Sequence, residues 1–181
     1  MKLYRFSPIK TQAELLEAVK YIHVACNKLC NQTFGKSLPN AGNVGVFCHY
    51  DDEYQQLVAI RSQIAEPSDE PNQKYFKLHE PIVIPAEGDV PKTTYTHIYI
   101  RKPDIYRAQV GDVDFYLDQA EYDALKADLQ RGKPIPGARI FPRNDLDMIE
   151  LYDPDVDALA YVSTSTMSEK VRIKLTEETN L

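Results

Sequence analysis

Two short stretches limit what this chain can fold into more than any other feature. TTYTHIYIR (93–101) and GDVDFYL (111–117) alternate between side chains that tolerate water and side chains that avoid it. Successive side chains of a strand point to opposite faces, so a period of two marks a strand with one face covered and one open. Such strands belong to a sheet packed on one side only. LYRF (3–6), VGVFCHY (44–50), KYFKLHE (74–80) and PIVIP (81–85) read as further strands, as do 138–142, 147–152, 158–164 and VRIKL (171–175).

The cover is expected from helices. TQAE (11–14) has the form of a capping box, in which Thr11 accepts from a backbone N–H and Glu14 reaches back. Leu15, Val19, Ile22, Cys26 and Leu29 then recur at spacings of three and four, and Gly35 ends the run. Asp51 is expected to cap a second helix with apolar positions Tyr54, Leu57, Val58 and Ile64. That helix start also accounts for the crowded acids of FCHYDDEY (47–54), because negative charge is favoured beside unpaired N–H groups. DQAE (118–121) opens a third helix, with Tyr122, Leu125 and Leu129 inward and Gly132 just past its end. The expected fold is α+β: a twisted, mostly antiparallel sheet with about three helices on one face. The 181 residues suit a single domain over 1–181, divisible into halves 1–102 and 103–176, with 177–181 a polar tail.

Composition excludes several classes of function. MKLYRFSPIK lacks the apolar run of a signal peptide, and the longest apolar stretches are too short to span a bilayer, so a cytoplasmic protein is expected. Cys26, Cys30 and Cys48 are an odd number of thiols and make no disulfide framework. The net charge of −6 repels phosphate backbones in bulk. Single-stranded nucleic acid could stack on TYTHIYIRK, yet only Arg101 and Lys102 stand beside those aromatics, so nucleic acid is not an expected partner.

Chemistry is best sought on the open face of the sheet. There the alternation gathers Tyr95, His97, Tyr99 and Arg101 on one strand, Tyr75, Lys77 and His79 on another, and Asp112, Asp114 and Tyr116 on a third. Met148, Glu150 and Tyr152 could join them. The expected ligand-binding set is Tyr95, His97, Tyr99, Arg101, Asp114, Tyr116 and Glu150. The tyrosines would supply stacking area, His97 and Arg101 would hold an anion or carbonyl, and Asp114 would hold a donor. Other constellations carry less. His23, Cys26 and Cys30 share one side of the first helix, but they lie in its apolar stripe without the paired ligands of a zinc site. Cys48 and His49 are strand neighbours pointing to opposite faces and make no dyad. PDIYRAQVGDVDF (103–115) offers paired acids but not the lysine a restriction-type nuclease needs.

Residues 111–164 have a further rhythm: the strand GDVDFYLD, the helix AEYDALKADLQRG, then the strands ARIF, DMIELYDPDVD and ALAYV. This order resembles one βαβββ module of the vicinal-oxygen-chelate superfamily, which includes glyoxalases, extradiol dioxygenases and bleomycin-resistance proteins. The resemblance implies a second, paired module, for which 1–101 offers LYRF, the first helix and three later strands, with the second helix as an insertion. It also implies a concave face that holds a metal or ligand. The family's ligand positions, a His on a module's first strand and a Glu on its fourth, fall near Asp114 and Ala160 in one half and Tyr4 and His97 in the other. Only His97 and Asp114 of these could ligate, and Val156 stands where the family's turn has glycine.

Two functions follow as expectations. The first is a soluble binding protein that recognises a small molecule or a protein partner through the polar Tyr/His-lined face, without catalysis and without a cofactor. The second is a vicinal-oxygen-chelate-like lyase, isomerase or oxygenase in which His97, Asp114 and Glu150 gather a divalent metal. The acidic balance also suits an inhibitor of a basic protein, and a homodimer is compatible with either reading.

Overall fold

Thr11 starts the first helix as its spacing predicts. In the structure, a computed structural model in which residues 4–69, 73–142 and 147–167 are described, the Thr11 hydroxyl accepts from Glu14 N–H at 3.2 Å. Glu14 returns the bond to Thr11 N–H at 3.0 Å. Helix α1 runs Gln12–Phe34 and ends on Gly35 in the left-handed region at φ 65°, where a side chain would be strained. Its stripe of Leu15, Val19, Ile22, Cys26 and Leu29 is buried. Each such side chain contributes about 1.5–3 kcal/mol of transfer free energy.

Seven strands follow with two more helices: β1 Asn40–Phe47, α2 Asp51–Ile64, β2 Phe76–Ile84, β3 Thr93–Arg101, β4 Gly111–Tyr116, α3 Gln119–Gln130, β5 Ala138–Phe141, β6 Met148–Leu151 and β7 Ala158–Ser163. They form one sheet in the order β2-β3-β1-β4-β7-β6-β5. The pairs β1–β3 and β4–β7 are parallel and the remainder antiparallel. The fold is α+β. The apolar sides of all three helices join one core with Val44, Val46, Ile98, Val113, Phe115, Ala160 and Val162 from the sheet. A smaller cluster of Phe47, Met148, Leu159 and Tyr161 lies on the other face.

The topology has an internal echo. In the second half β4, α3, β5, β6 and β7 run in order, with β7 returning beside β4. In the first half β1, α2, β2 and β3 run likewise, with β3 returning beside β1. Where the first half would need a counterpart of β5, Ala65 makes a lone antiparallel bridge to Leu78. The two halves meet at their first strands, β1 and β4.

Several expectations are corrected. Tyr4–Phe6 is not a strand, and Met1–Leu3 lie outside the described residues, as do VRIKL and the tail 177–181. The first half therefore opens with β1; α2 is its own helix, and α1 is the added element. KYFKLHE and PIVIP are one strand with a register shift between Lys77 and Ile82. The second helix is capped at Tyr50, not Asp51, and without a side-chain cap bond. Glu53 instead points inward, accepting from Ile9 N–H at 2.9 Å and His49 N–H at 2.7 Å, which ties the N-terminal segment to α2. No described helix is long and apolar enough to cross a membrane.

Candidate functional site

Alternation brings the polar side chains of the central strands to the face opposite the helices. The register aligns Tyr99 of β3 with Gly45 of β1, and Gly45 with Asp112 of β4. The next row aligns Asp114 of β4 with Tyr161 of β7, Tyr161 with Glu150 of β6, and Glu150 with Arg139 of β5. Above these rows a cavity of about 410 Å³ opens, its floor formed by Asp112, Asp114 and Tyr161. Its walls are Tyr75, Tyr99, Phe141 and Met148, and its cations are Lys74, Arg101 and Arg107.

Asp114 is held in place. Its Oδ2 accepts from Asn43 Nδ2 at 2.5 Å and from the Tyr75 hydroxyl at 3.2 Å. Asp112 is not. It is 7% exposed, yet its carboxyl makes no hydrogen bond and no ion pair among the described residues. A buried carboxyl without partners is costly, and the cost falls on its charged form. Burial first, and Asp114 beside it second, push Asp112 up to about 7, with Lys74, Arg101 and Arg107 opposing the shift. Gly45 makes room for it: a Cβ there would stand 2.0 Å from Asp112 Oδ1. Two acids two residues apart thus differ in kind, one fixed by donors and one whose carboxyl burial pushes up.

The rim is rigid. Glu150, 0% exposed, accepts from Arg107 Nη1 at 3.2 Å, Arg139 Nε at 2.7 Å and the Tyr161 hydroxyl at 2.8 Å. Arg107 comes from the β3–β4 connection and lies 5.3 Å from the Phe141 ring centroid. On the opposite wall the Lys74 ammonium sits 4.9 Å from the Tyr75 ring and 4.8 Å from the Tyr99 ring. Those two rings pack at 5.8 Å.

The sequence-predicted residues are dispersed. Tyr99, Arg101 and Asp114 line the cavity, and Glu150 lies under its rim. His97 and Tyr116 are half-buried and outside the lining, His97 Nδ1 lying 2.9 Å from the Thr96 hydroxyl. Tyr95 is a correction. It is fully buried on the helix side, hydrogen-bonded to His23 Nδ1 at 2.8 Å. The alternation breaks within β3, beside the irregular pairing with β2 between Lys77 and Ile82: Thr96 and His97 both face outward, and Tyr95 turns under α1. Sequence reasoning left out Lys74, Arg107 and Tyr161, and placed Asp112 on the open face without including it in the ligand-binding set.

Among the described residues no three His, Cys, Asp or Glu side chains are grouped to hold an ion. His97, Asp114 and Glu150 are spoken for by Thr96, by Asn43 and Tyr75, and by two arginines respectively. The thiols offer no alternative: Cys26, Cys30 and Cys48 are all free and buried, and burial raises each of them.

No protein-family model matches the chain, and no curated protein matches it. Among solved structures, a structural-genomics protein designated EC4020 superposes with a TM-score of 0.59 at 16% identity, with 98% of each chain covered. At that identity the likeness is one of fold. A 2,2',3-trihydroxybiphenyl 1,2-dioxygenase from Sphingomonas wittichii strain RW1 gives a TM-score of 0.38 at 11% identity over 71% of this chain and 42% of its own. A methylmalonyl-CoA epimerase of Streptomyces coelicolor gives 0.30 at 17% identity over 71% of this chain and 100% of its own. Neither of these two superpositions reaches a TM-score of 0.5.

Proposed function

We propose that the protein binds a small organic anion in the cavity over β1 and β4 and transfers a proton on it, with Asp112 as the proton-carrying group. The observation behind this reading is the pairing of opposites on one strand: Asp114 fixed by Asn43 and Tyr75, Asp112 buried without a described partner and open to the cavity. A carboxyl near neutrality serves as acid or base with little driving force lost either way. Arg101 and Arg107 would hold the ligand's negative group, while Tyr75, Tyr99 and Phe141 would cover a flat or apolar part. Proton transfer beside a carbonyl is a step of isomerases and lyases, and no step here is routed through a metal.

The test has two readings. Aspartate carboxyl carbons, labelled and followed by NMR, should give one resonance that titrates near 7 and is lost in Asp112→Asn. A panel of small carboxylic acids with an acidic C–H, incubated in deuterated water, should show deuterium uptake with the wild type and none with Asp112→Asn. If Asp112 titrates in the ordinary carboxylate range, near 4, and no compound of the panel exchanges, the proposal fails. A compound that binds competitively but never exchanges would leave recognition without catalysis, the simpler reading that the tyrosine-lined walls also support.

A further inference from the structure

The inner cavity is bordered by a segment that the fold holds only at its ends. The connection from β3 to β4 leaves the sheet at Arg101, whose carbonyl accepts from Cys48 N–H at 3.1 Å. It rejoins the sheet at Val110, whose carbonyl accepts from Phe47 N–H at 2.8 Å. Between these points Arg107 is pinned by Glu150 at 3.2 Å. Among the described residues, 103–106 make no backbone hydrogen bond to any helix or strand. The bonds they have close their own turn: Arg107 N–H donates to Asp104 O at 3.1 Å, and Tyr106 N–H donates to Asp104 Oδ1 at 2.8 Å.

On that turn stand Ile105, 91% exposed, and Tyr106, 86% exposed, while the next large apolar side chain among the described residues, Val83, reaches only 52%. A lone exposed apolar residue is ordinary; two in succession beside a cavity walled by Tyr99, Phe141 and Met148 are not. Tyr106 is the chain neighbour of Arg107, whose guanidinium lies 5.3 Å from the Phe141 ring centroid. Apolar cover for the pair is therefore within a short rotation of the turn. The turn also has room to move, because Pro103 and Asp104 border a second, more open cavity of about 580 Å³. One ion pair ties the turn back. Asp104 accepts from Tyr106 N–H through Oδ1 and from Arg101 Nη2 through Oδ2, and both side chains of the pair are about a quarter exposed. Arg101 lines the inner cavity as well, so Asp104 and an anion bound there compete for one guanidinium.

We infer that residues 102–106 are a lid: an anion in the inner cavity draws Arg101 away from Asp104, and the released turn lays Ile105 and Tyr106 over the cavity. The inference rests on the inner cavity being a ligand site. Both ends of the moving piece are fixed, Arg101 by β3 and Arg107 by Glu150, so the motion is a local rotation and leaves the sheet unchanged. Closure removes two large apolar side chains from water and excludes water from the space above Asp112, where contacts between charges then strengthen. The same competition gives the lid its trigger. A neutral molecule of the same shape has no differential contact with Arg101 and does not shift the equilibrium.

The test uses fluorescence of the full chain, which contains no tryptophan. Tyr106→Trp places a single emitter on the turn, and acrylamide should quench it freely. Adding Asp104→Asn removes the charge but leaves an oxygen to accept from the N–H of residue 106, so the turn persists and only the tether is lost. The ratio of closed to open chains should then rise about two- to fivefold, the shift that loss of one partly exposed ion pair allows. It is read as weaker quenching and emission at shorter wavelength. Phe141→Ala, added to these two, should restore quenching by removing part of the surface the lid covers, and Met148→Ala serves if a melting curve shows that variant unfolded. The inference is overturned if Asp104→Asn leaves quenching unchanged. It is equally overturned if the protection survives loss of the cavity wall, since the turn would then rest elsewhere. None of these variants replaces Asp112, and its titration and deuterium exchange are measured on the wild type, so either reading can fall without the other.

Discussion

Replacing Asp112 by Asn should stabilise the protein, and more so as the solution becomes more alkaline. The carboxyl is raised in the folded state from 3.8 to about 7. In the interval between those values the unfolded chain releases a proton that the folded chain keeps. Stability therefore falls as pH rises through the window and levels off above it. The full shift corresponds to about 4 kcal/mol, an upper figure because the cavity above Asp112 admits water. Between pH 5 and pH 8 the part that varies is about 2–3 kcal/mol. Asn cannot ionise, so the variant escapes the penalty. For a chain of this length each kcal/mol moves the midpoint by roughly 2–4 °C. Calorimetric melting at pH 5 and pH 8 should accordingly show the variant gaining on the wild type by about 5–10 °C between the two conditions. Titrations common to both proteins cancel in that difference. A gap that is constant with pH, or that shifts toward the wild type at pH 8, would refute the placement of Asp112 as a buried, unpartnered acid. A gain in stability on removing it would also fit a general pattern, in which reactive groups are kept at a cost to the fold.

Other substitutions separate the site from the scaffold. Gly45→Ala should displace the Asp112 carboxyl, since its Cβ would fall 2.0 Å from Oδ1 and 3.1 Å from Cγ. About 1–3 kcal/mol of stability should be lost, together with the titration near 7 seen by NMR. Glu150→Ala should cost about 3–5 kcal/mol in denaturant unfolding, because it strands Arg107, whose side chain is 15% exposed. Tyr95→Phe should cost about 1 kcal/mol through the lost bond to His23, while leaving every ligand affinity unchanged, as befits a residue on the covered face.

Much of the fold could be read from local signals because those signals are local in cause. A capping box, a stripe at spacings of three and four, and a period of two are each decided within one element, and α1, β3 and β4 formed where they were expected. What escaped was set between elements. Tyr95 follows the same alternation as Tyr99 when the residue pattern is read alone; the break between Thr96 and His97, beside the irregular pairing of β3 with β2, is what turns it inward. LYRF has strand composition, but Tyr4–Phe6 lie outside the sheet, and it is Ile9, three residues further on, whose N–H is held by Glu53 of α2. The site divides along the same line. Tyr99, Arg101 and Asp114 could be found because alternation on their own strands brings them to the open face. Arg107, on a connection, and Lys74, just ahead of β2, have no such phase and reach the cavity only through the pairing of β1 with β3 and β4. Asp112 is the instructive case. Its position on the open face could be read from the sequence, but its chemistry could not. That depends on Gly45 across the strand pair leaving it room and on Asn43 and Tyr75 donating to Asp114 in its place. A carboxyl becomes reactive through the partners it is denied, and in this fold those are assigned by register.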